Sequence, residues 1–230
     1  MSKHDVTKLN VGIEKCLAIT TNLRHRFLLQ AYHRHRFLEV AGRYEEIFAP
    51  EMMVPNPVYH LNAGGTPADL RGQENVKSLY HMWAETNQSI FYTENEQVAV
   101  ADNFIASVLT INQQVWGKAL TLGRVASYLP GFLSEAILQK VLAKKDWKAD
   151  ENAMYLYTTF IEMIWPYDDR GLLIGEDVWE PDPDKAQIVK LDPADVLTTA
   201  EARKLLDPLI KPLPAFDEKL MALAPTRTAA

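Results

Sequence analysis

The order of local patterns constrains this chain most: helical spacing clusters first and long alternating runs cluster last. Residues 23–48 carry a helical pattern. With Leu28 at zero on a wheel of about 100° per residue, Phe27, Ala31, Tyr32, His35, Leu38, Glu39 and Gly42 share one half, while His33, Arg36 and Phe37 lie on the other. Val11, Ile13, Leu17 and Ile19 predict a short helix or arm within residues 1–22, and a second short helix around Tyr44–Phe48 ends before Pro50. Glu51–Tyr59 alternates loosely and contains Pro55 and Pro57, which predicts a short or edge strand. A turn over residues 63–67 precedes a helix over Gly72–Thr86, whose Val76, Leu79, Tyr80 and Trp83 fall at helical spacing.

Strand-like runs follow: Ser89–Thr93, Gln97–Val100, Phe104–Trp116, Ala153–Trp165 and Leu172–Trp179, rich in β-branched and aromatic residues. Asp168–Gly171 reads as a hairpin turn between the last two. Residues 118–150 interrupt the series and hold an amphipathic helix over Ser134–Lys145. The Pro-rich segment Glu180–Asp184 ends the sheet. Thr198-Thr199-Ala200-Glu201 is a capping-box signature for one more helix. Pro208, Pro212 and Pro214 make the remainder extended, and residues 222–230 are expected to be loose. Helices before strands predict an α+β fold with an antiparallel sheet. The expected division is an N-terminal helical arm (1–22), an α+β domain (23–181) with an insertion at 118–150, and a C-terminal extension (182–230). There is no internal repeat.

Charge and composition exclude several function classes. With Lys plus Arg at 24 and Asp plus Glu at 30, the net charge is −6, which argues against the basic footprint of a nucleic-acid binder. The single cysteine, Cys16, rules out an internal disulfide framework and a cysteine-based zinc site within one chain. No apolar run approaches the ~20 residues of a membrane span, and the first residues lack a signal-peptide core. A cytoplasmic protein with no membrane or nucleic-acid partner is expected.

Three strings carry a resemblance: Glu45-Glu46-Ile47-Phe48-Ala49-Pro50-Glu51-Met52-Met53-Val54-Pro55-Asn56-Pro57, then Leu70-Arg71-Gly72-Gln73-Glu74-Asn75-Val76, and Gly171-Leu172-Leu173-Ile174-Gly175-Glu176-Asp177-Val178-Trp179. In this order the chain resembles the cone-shaped superfamily of nuclear transport factor two, ketosteroid isomerase, scytalone dehydratase and the SnoaL-like polyketide cyclases, over about residues 27–117 and 152–181. The resemblance implies a strongly curved sheet, a cystatin-like α+β barrel, wrapped around the first helices and leaving one deep pocket. The fold hosts many chemistries. Against the ketosteroid isomerases, Tyr32 takes the position of the helix tyrosine that donates to an oxyanion, and Pro57 that of the proline after the general base. The base position then falls on Asn56, whose amide cannot abstract a proton. Tyr80 matches the family's second tyrosine, and Glu162 its second oxyanion acid, by way of Phe160-Ile161-Glu162. Within the superfamily the chain looks most like the diarylpropane lyases, which convert a lignin-derived diaryl-propanediol to a stilbene and release formaldehyde. Membership also implies a homo-oligomer, dimer or trimer.

The residues have readings of their own. Tyr32, His35 and Glu39 form a row on one helix, equipment for oxyanion stabilisation and proton transfer, or simply a satisfied core. Arg34 and Arg36, with His33, read as a solvated helix face. Tyr59 and His60 follow the first strand at the rim, and His60 is the leading alternative base. Arg71 either holds a phenolate or pairs with a nearby acid. In Ala153–Trp165, Thr158, Phe160, Glu162 and Ile164 share one face and Tyr155, Tyr157, Thr159, Ile161 and Met163 the other. Glu162 facing inward would have a raised pKa and act as an acid; facing outward it is a surface glutamate. Glu176 is a second carboxylate candidate. Trp83, Trp116 and Trp165 wall a cavity or fill the core. No metal-ligand motif, phosphate loop, nucleophile elbow or dinucleotide fingerprint is present, so no metal and no cofactor are expected. The set suits a cofactor-independent lyase on a small aromatic substrate. The alternatives are a dehydratase, isomerase or cyclase on a polyketide, steroid or terpenoid, and a non-catalytic binding module.

Overall fold

The computed structural model describes residues 5–63, 66–121 and 149–221. Gly64 and Gly65 of the expected turn, the helix expected over Ser134–Lys145 and the terminal residues 222–230 lie outside them. The described chain is α+β, with helices first and a curved, open sheet after them. The helices are α1 (Val11–Ile19), α2 (Leu23–Val40), α3 (Gln73–Glu85), α4 (Gly117–Thr121), α5 (Thr199–Leu206) and α6 (Glu218–Met221). The strands are β1 (Met53–Ala63), β2 (Thr66–Arg71), β3 (Phe91–Val100), β4 (Phe104–Trp116), β5 (Met154–Pro166), β6 (Leu173–Trp179) and β7 (Gln187–Lys190). They run in the order β2-β1-β6-β5-β4-β3, with β7 paired to the N-terminal part of β5, end to end with β6.

Four local expectations change. The sheet is mixed, because β1 runs parallel to β6 while its other pairs are antiparallel. β1 is an interior strand despite its prolines. Pro55 and Pro57 occupy an irregularity where the register jumps from Met53↔Leu173 to Val58↔Gly175, so their missing N–H groups cost no ladder bond. The sheet also continues past the Pro-rich segment into β7. Ser89–Thr93 and Gln97–Val100 belong to a single strand, β3, broken in register between Glu94 and Gln97.

The irregularity in β1 brings its backbone hard against β6. A Cβ on Gly175 would lie 1.7 Å from the Val58 carbonyl oxygen. Gly175→Ala is therefore expected to force the two strands apart and to cost about 1–3 kcal/mol. Urea unfolding checks this, and an unchanged midpoint would mean that the strands do not approach as described.

α2 lies in the hollow of the sheet and is covered on nearly every side. Twelve of its 18 residues are buried, including Arg24, His35, Arg36 and Glu39. β3 and β4 cover one side, α5 and α6 another. That corrects the solvated face expected for Arg36: it is 2% exposed, because β3 closes over it. The C-terminal stretch holds α2 from outside. Thr198 caps α5 in the expected capping box, Ala202 and Leu206 are buried, and Arg203 donates to the Ala41 and Gly42 carbonyls at 3.0 and 2.7 Å. Arg24 ties the loops together, donating to the backbone carbonyls of Asp102, Asp168, Asp169 and Met221.

Candidate functional site

Alternation along two adjacent strands decides which side chains enter the hollow. Tyr59 and Glu176 are partners across β1 and β6 and both are buried. Their neighbours His60 and Asp177, one residue on, point to the outer face. From α2, Arg36 and Glu39 reach the same space, and from α3, Leu79, Tyr80 and Trp83 do. Phe91, Leu109, Ile111, Ile161, Met163 and Trp165 complete most of an apolar wall around these polar groups. The free space is only about 30 Å³, room for one or two water molecules. A larger ligand must displace side chains, and Leu79 and Met163 are the flexible, half-buried ones that line the cavity.

A hydrogen-bonded chain runs beside the cavity. His35 Nε2 lies 3.0 Å from the Tyr80 hydroxyl, which lies 3.3 Å from the Tyr59 hydroxyl. The Tyr32 hydroxyl is 3.1 Å from Ser107 Oγ, and its ring packs on Trp165 at 4.5 Å between centroids. Arg36 Nη1 donates to Glu96 Oε1 at 2.6 Å, and its guanidinium sits over the Tyr32 ring at 5.3 Å.

Burial sets the protonation states. It pushes Glu39 up to about 8, with the Arg36 charge pulling the other way. Burial, reinforced by Glu39, holds Glu176 well above the carboxylate range, again against Arg36. Burial, then the Arg36 charge, lowers His35 to about 3, so its imidazole is neutral. Burial also raises Tyr32, Tyr59 and Tyr80 above the usual phenol range. The site therefore holds two carboxyls in a largely neutral form, linked phenols, a neutral imidazole and one permanent cation. Neutral carboxyls and phenols donate hydrogen bonds to an oxygen that gains charge. A carboxyl whose pKa lies near 8 exchanges its proton near neutral pH.

Of the residues singled out in the sequence, Glu39, Tyr59, Tyr80, Trp83, Trp165 and Glu176 line this cavity, and Tyr32 and His35 pack directly behind it. The others lie elsewhere. Glu162 and Phe160 are exposed on the outer face, since β5 turns Ile161 and Met163 inward. His60 is also outside, 2.7 Å from Asp69, with its side chain 51% exposed. Arg71, at the end of β2, pairs with the same Asp69 at 3.1 Å, the fate of a surface arginine. Asn56 is exposed at the β1 irregularity. Trp116 is half-buried at another depression, with Lys118 5.3 Å above its ring. His35 is no proton carrier near neutrality, because burial keeps it uncharged. Arg36 was missed as a site residue, and the only sequence signal for it is the charge spread around all sides of α2.

Among the described residues no three His, Cys, Asp or Glu side chains group so as to hold a metal ion. No helix among them is long and apolar enough to cross a membrane.

No protein-family model and no curated protein matches the chain. Solved structures that it is similar to include an NTF2-like protein from Anabaena variabilis, at 8% identity and a TM-score of 0.43, covering 70% of this chain and 94% of that one. A phenazine biosynthesis-related protein from Pseudomonas aeruginosa is similar at 12% identity and a TM-score of 0.40, covering 66% and 80%. A protein from Kribbella flavida is similar at 9% identity and a TM-score of 0.38, covering 80% and 95%.

Proposed function

We propose that the chain is an enzyme that moves protons by general acid–base catalysis in the inner cavity, on a small, oxygen-bearing aromatic substrate. One observation carries the reading: Glu39 and Glu176 are buried in the same apolar cavity with Arg36, beside the linked hydroxyls of Tyr59 and Tyr80. A neutral carboxyl protonates a leaving hydroxyl, a carboxylate takes a proton from a neighbouring oxygen or carbon, and the phenols stabilise the oxygen that becomes negative. Dehydration, isomerisation, cyclisation and carbon–carbon cleavage all use these steps.

Within that class we favour a formaldehyde-releasing lyase on a 1,2-diaryl-propane-1,3-diol. Glu39 and Glu176 replace Glu162 and His60 in this role. Glu176 protonates the benzylic hydroxyl of a substrate whose ring carries a para-hydroxyl; water leaves while the Glu39 carboxylate takes the phenolic proton, giving a quinone methide. Glu176, now a carboxylate, takes the terminal alcohol proton, and the phenolate formed in the last step recovers its proton from Glu39. The carbon–carbon bond then breaks, formaldehyde departs, and the electron pair returns to the quinone methide to give the stilbene. The substrate exceeds the free space, so Leu79 and Met163 must move aside.

Purified protein incubated with such a diol is expected to produce stilbene absorbance and formaldehyde together. Glu176→Gln is expected to lower kcat by about 10²–10⁴ while calorimetric affinity stays within about tenfold. Neither product forming would reject the lyase, and water loss without formaldehyde would leave a dehydratase. Turnover unaffected by Glu176→Gln would move the chemistry out of this cavity.

A further inference from the structure

We infer that the indole N–H groups of Trp83 and Trp165 are binding donors of the inner cavity, and that they select flat aromatic ligands whose polar atoms are acceptors: carbonyl, ether or phenolate oxygens. The inference rests on the cavity being a substrate site, as proposed above, and names the class of ligand it takes. Both rings line the cavity. Trp83 is 5% exposed and Trp165 1%, yet neither Nε1 has a hydrogen-bond partner among the described residues. Buried donors without acceptors are uncommon and costly, and two of them around one hollow call for a shared explanation.

Neither ring is free to turn and find another acceptor. Trp165 is wedged between Tyr32 and His35, with ring centroids 4.5 and 4.7 Å away. Trp83 meets Tyr80 edge-on at 5.6 Å. Arg36, also on the lining, offers only N–H groups. The acceptor oxygens on the lining, those of Glu39, Glu176, Thr93 and Gln113, all lie out of hydrogen-bonding reach of both indole N–H groups. A ligand oxygen placed between the two indoles satisfies what the protein leaves unmet, whereas a hydrocarbon of the same outline satisfies nothing.

Chromone and naphthalene share a bicyclic outline, and only chromone carries acceptor oxygens. Each is titrated into the full-length protein, followed by calorimetry and by the indole ¹⁵N–¹H signals. The chain has five tryptophans, and Trp83→Phe and Trp165→Phe assign the two signals that matter. Chromone is expected to shift both signals downfield and to bind more tightly than naphthalene. Each substitution is expected to weaken chromone about three- to tenfold and to weaken naphthalene less. If both probes bind equally, or chromone binds without moving either signal, the donor role is overturned while the cavity reading stands. If neither probe binds, the cavity reading falls and the donor role with it.

Discussion

Stability is expected to fall as the pH rises from 6.5 to 8, and replacing Glu39 by Gln is expected to flatten that fall. The Glu39 carboxyl has a reference value of 4.5 and is held near 8 in the folded chain, chiefly by burial. Between those values the folded state keeps a proton that the unfolded state has released. Stability therefore falls with rising pH across that window, by about 1.4 kcal/mol per pH unit for one such group. His35 acts with the opposite sign. Its folded value near 3 lies below the reference 6.5, so it costs stability as the pH falls from 6.5 towards 3. The two slopes oppose each other between 4.5 and 6.5, which leaves 6.5 to 8 as the clear window. Glu176 contributes a slope of the same sign as Glu39, so the wild-type fall should exceed that of a single proton and Glu39→Gln should remove about one proton's worth. Gln keeps the volume and a hydrogen-bonding amide. Urea midpoints at pH 6.5, 7.25 and 8 read the difference, and parallel curves for the two proteins would show that Glu39 is not buried with its proton.

The same pair of acids shows what the sequence could and could not disclose. The long strands were visible because Phe104–Trp116 and Ala153–Trp165 are dense in β-branched and aromatic residues, and β4 and β5 fall on them within a residue. Which face of β5 points inward was not visible. Its outer face carries Phe160 and Ile164, 43% and 45% exposed, so both faces look apolar and hydrophobicity cannot set the parity. The strand alone leaves Glu162 free to face either way and the resemblance turns it inward; it lies outside. Glu176, which is inside, sits in a short strand whose parity is fixed by its pairing with Tyr59, information that no local window contains. β7 was hidden for a similar reason: Gln187–Lys190 is a four-residue strand made by its partner, β5, rather than by its own pattern. Arg36 was lost because a wheel assumes that a helix is covered on one side, whereas α2 is enclosed by the sheet and by a C-terminal stretch far away in sequence.

Arg36→Met is expected to be the most damaging single change in the site, costing about 3–5 kcal/mol. Arg36 and Glu96 are paired at 2.6 Å with side chains 3% and 2% exposed. Removing the guanidinium leaves a carboxylate buried with no cation, and Glu96 Oε2 already has no hydrogen-bond partner among the described residues. The ring contacts of the guanidinium with Tyr32 and Phe91, at 5.3 and 5.8 Å, are lost as well. Met fills most of the vacated length, so the loss reflects charge more than cavity formation. The double variant Arg36→Met with Glu96→Gln is expected to recover most of the stability, since a buried pair contributes little net once both charges are gone. The positive charge also opposes the upward push on Glu39 and Glu176. In the double variant both acids should hold their protons to higher pH, and the alkaline limb of any activity profile should move up with them. Urea unfolding at pH 6 of both single variants and the double variant closes the cycle. A loss below about 1 kcal/mol for Arg36→Met, or a double variant that loses the sum of the two single losses, would show that the pair is solvated and that Arg36 does not set the charge of the cavity.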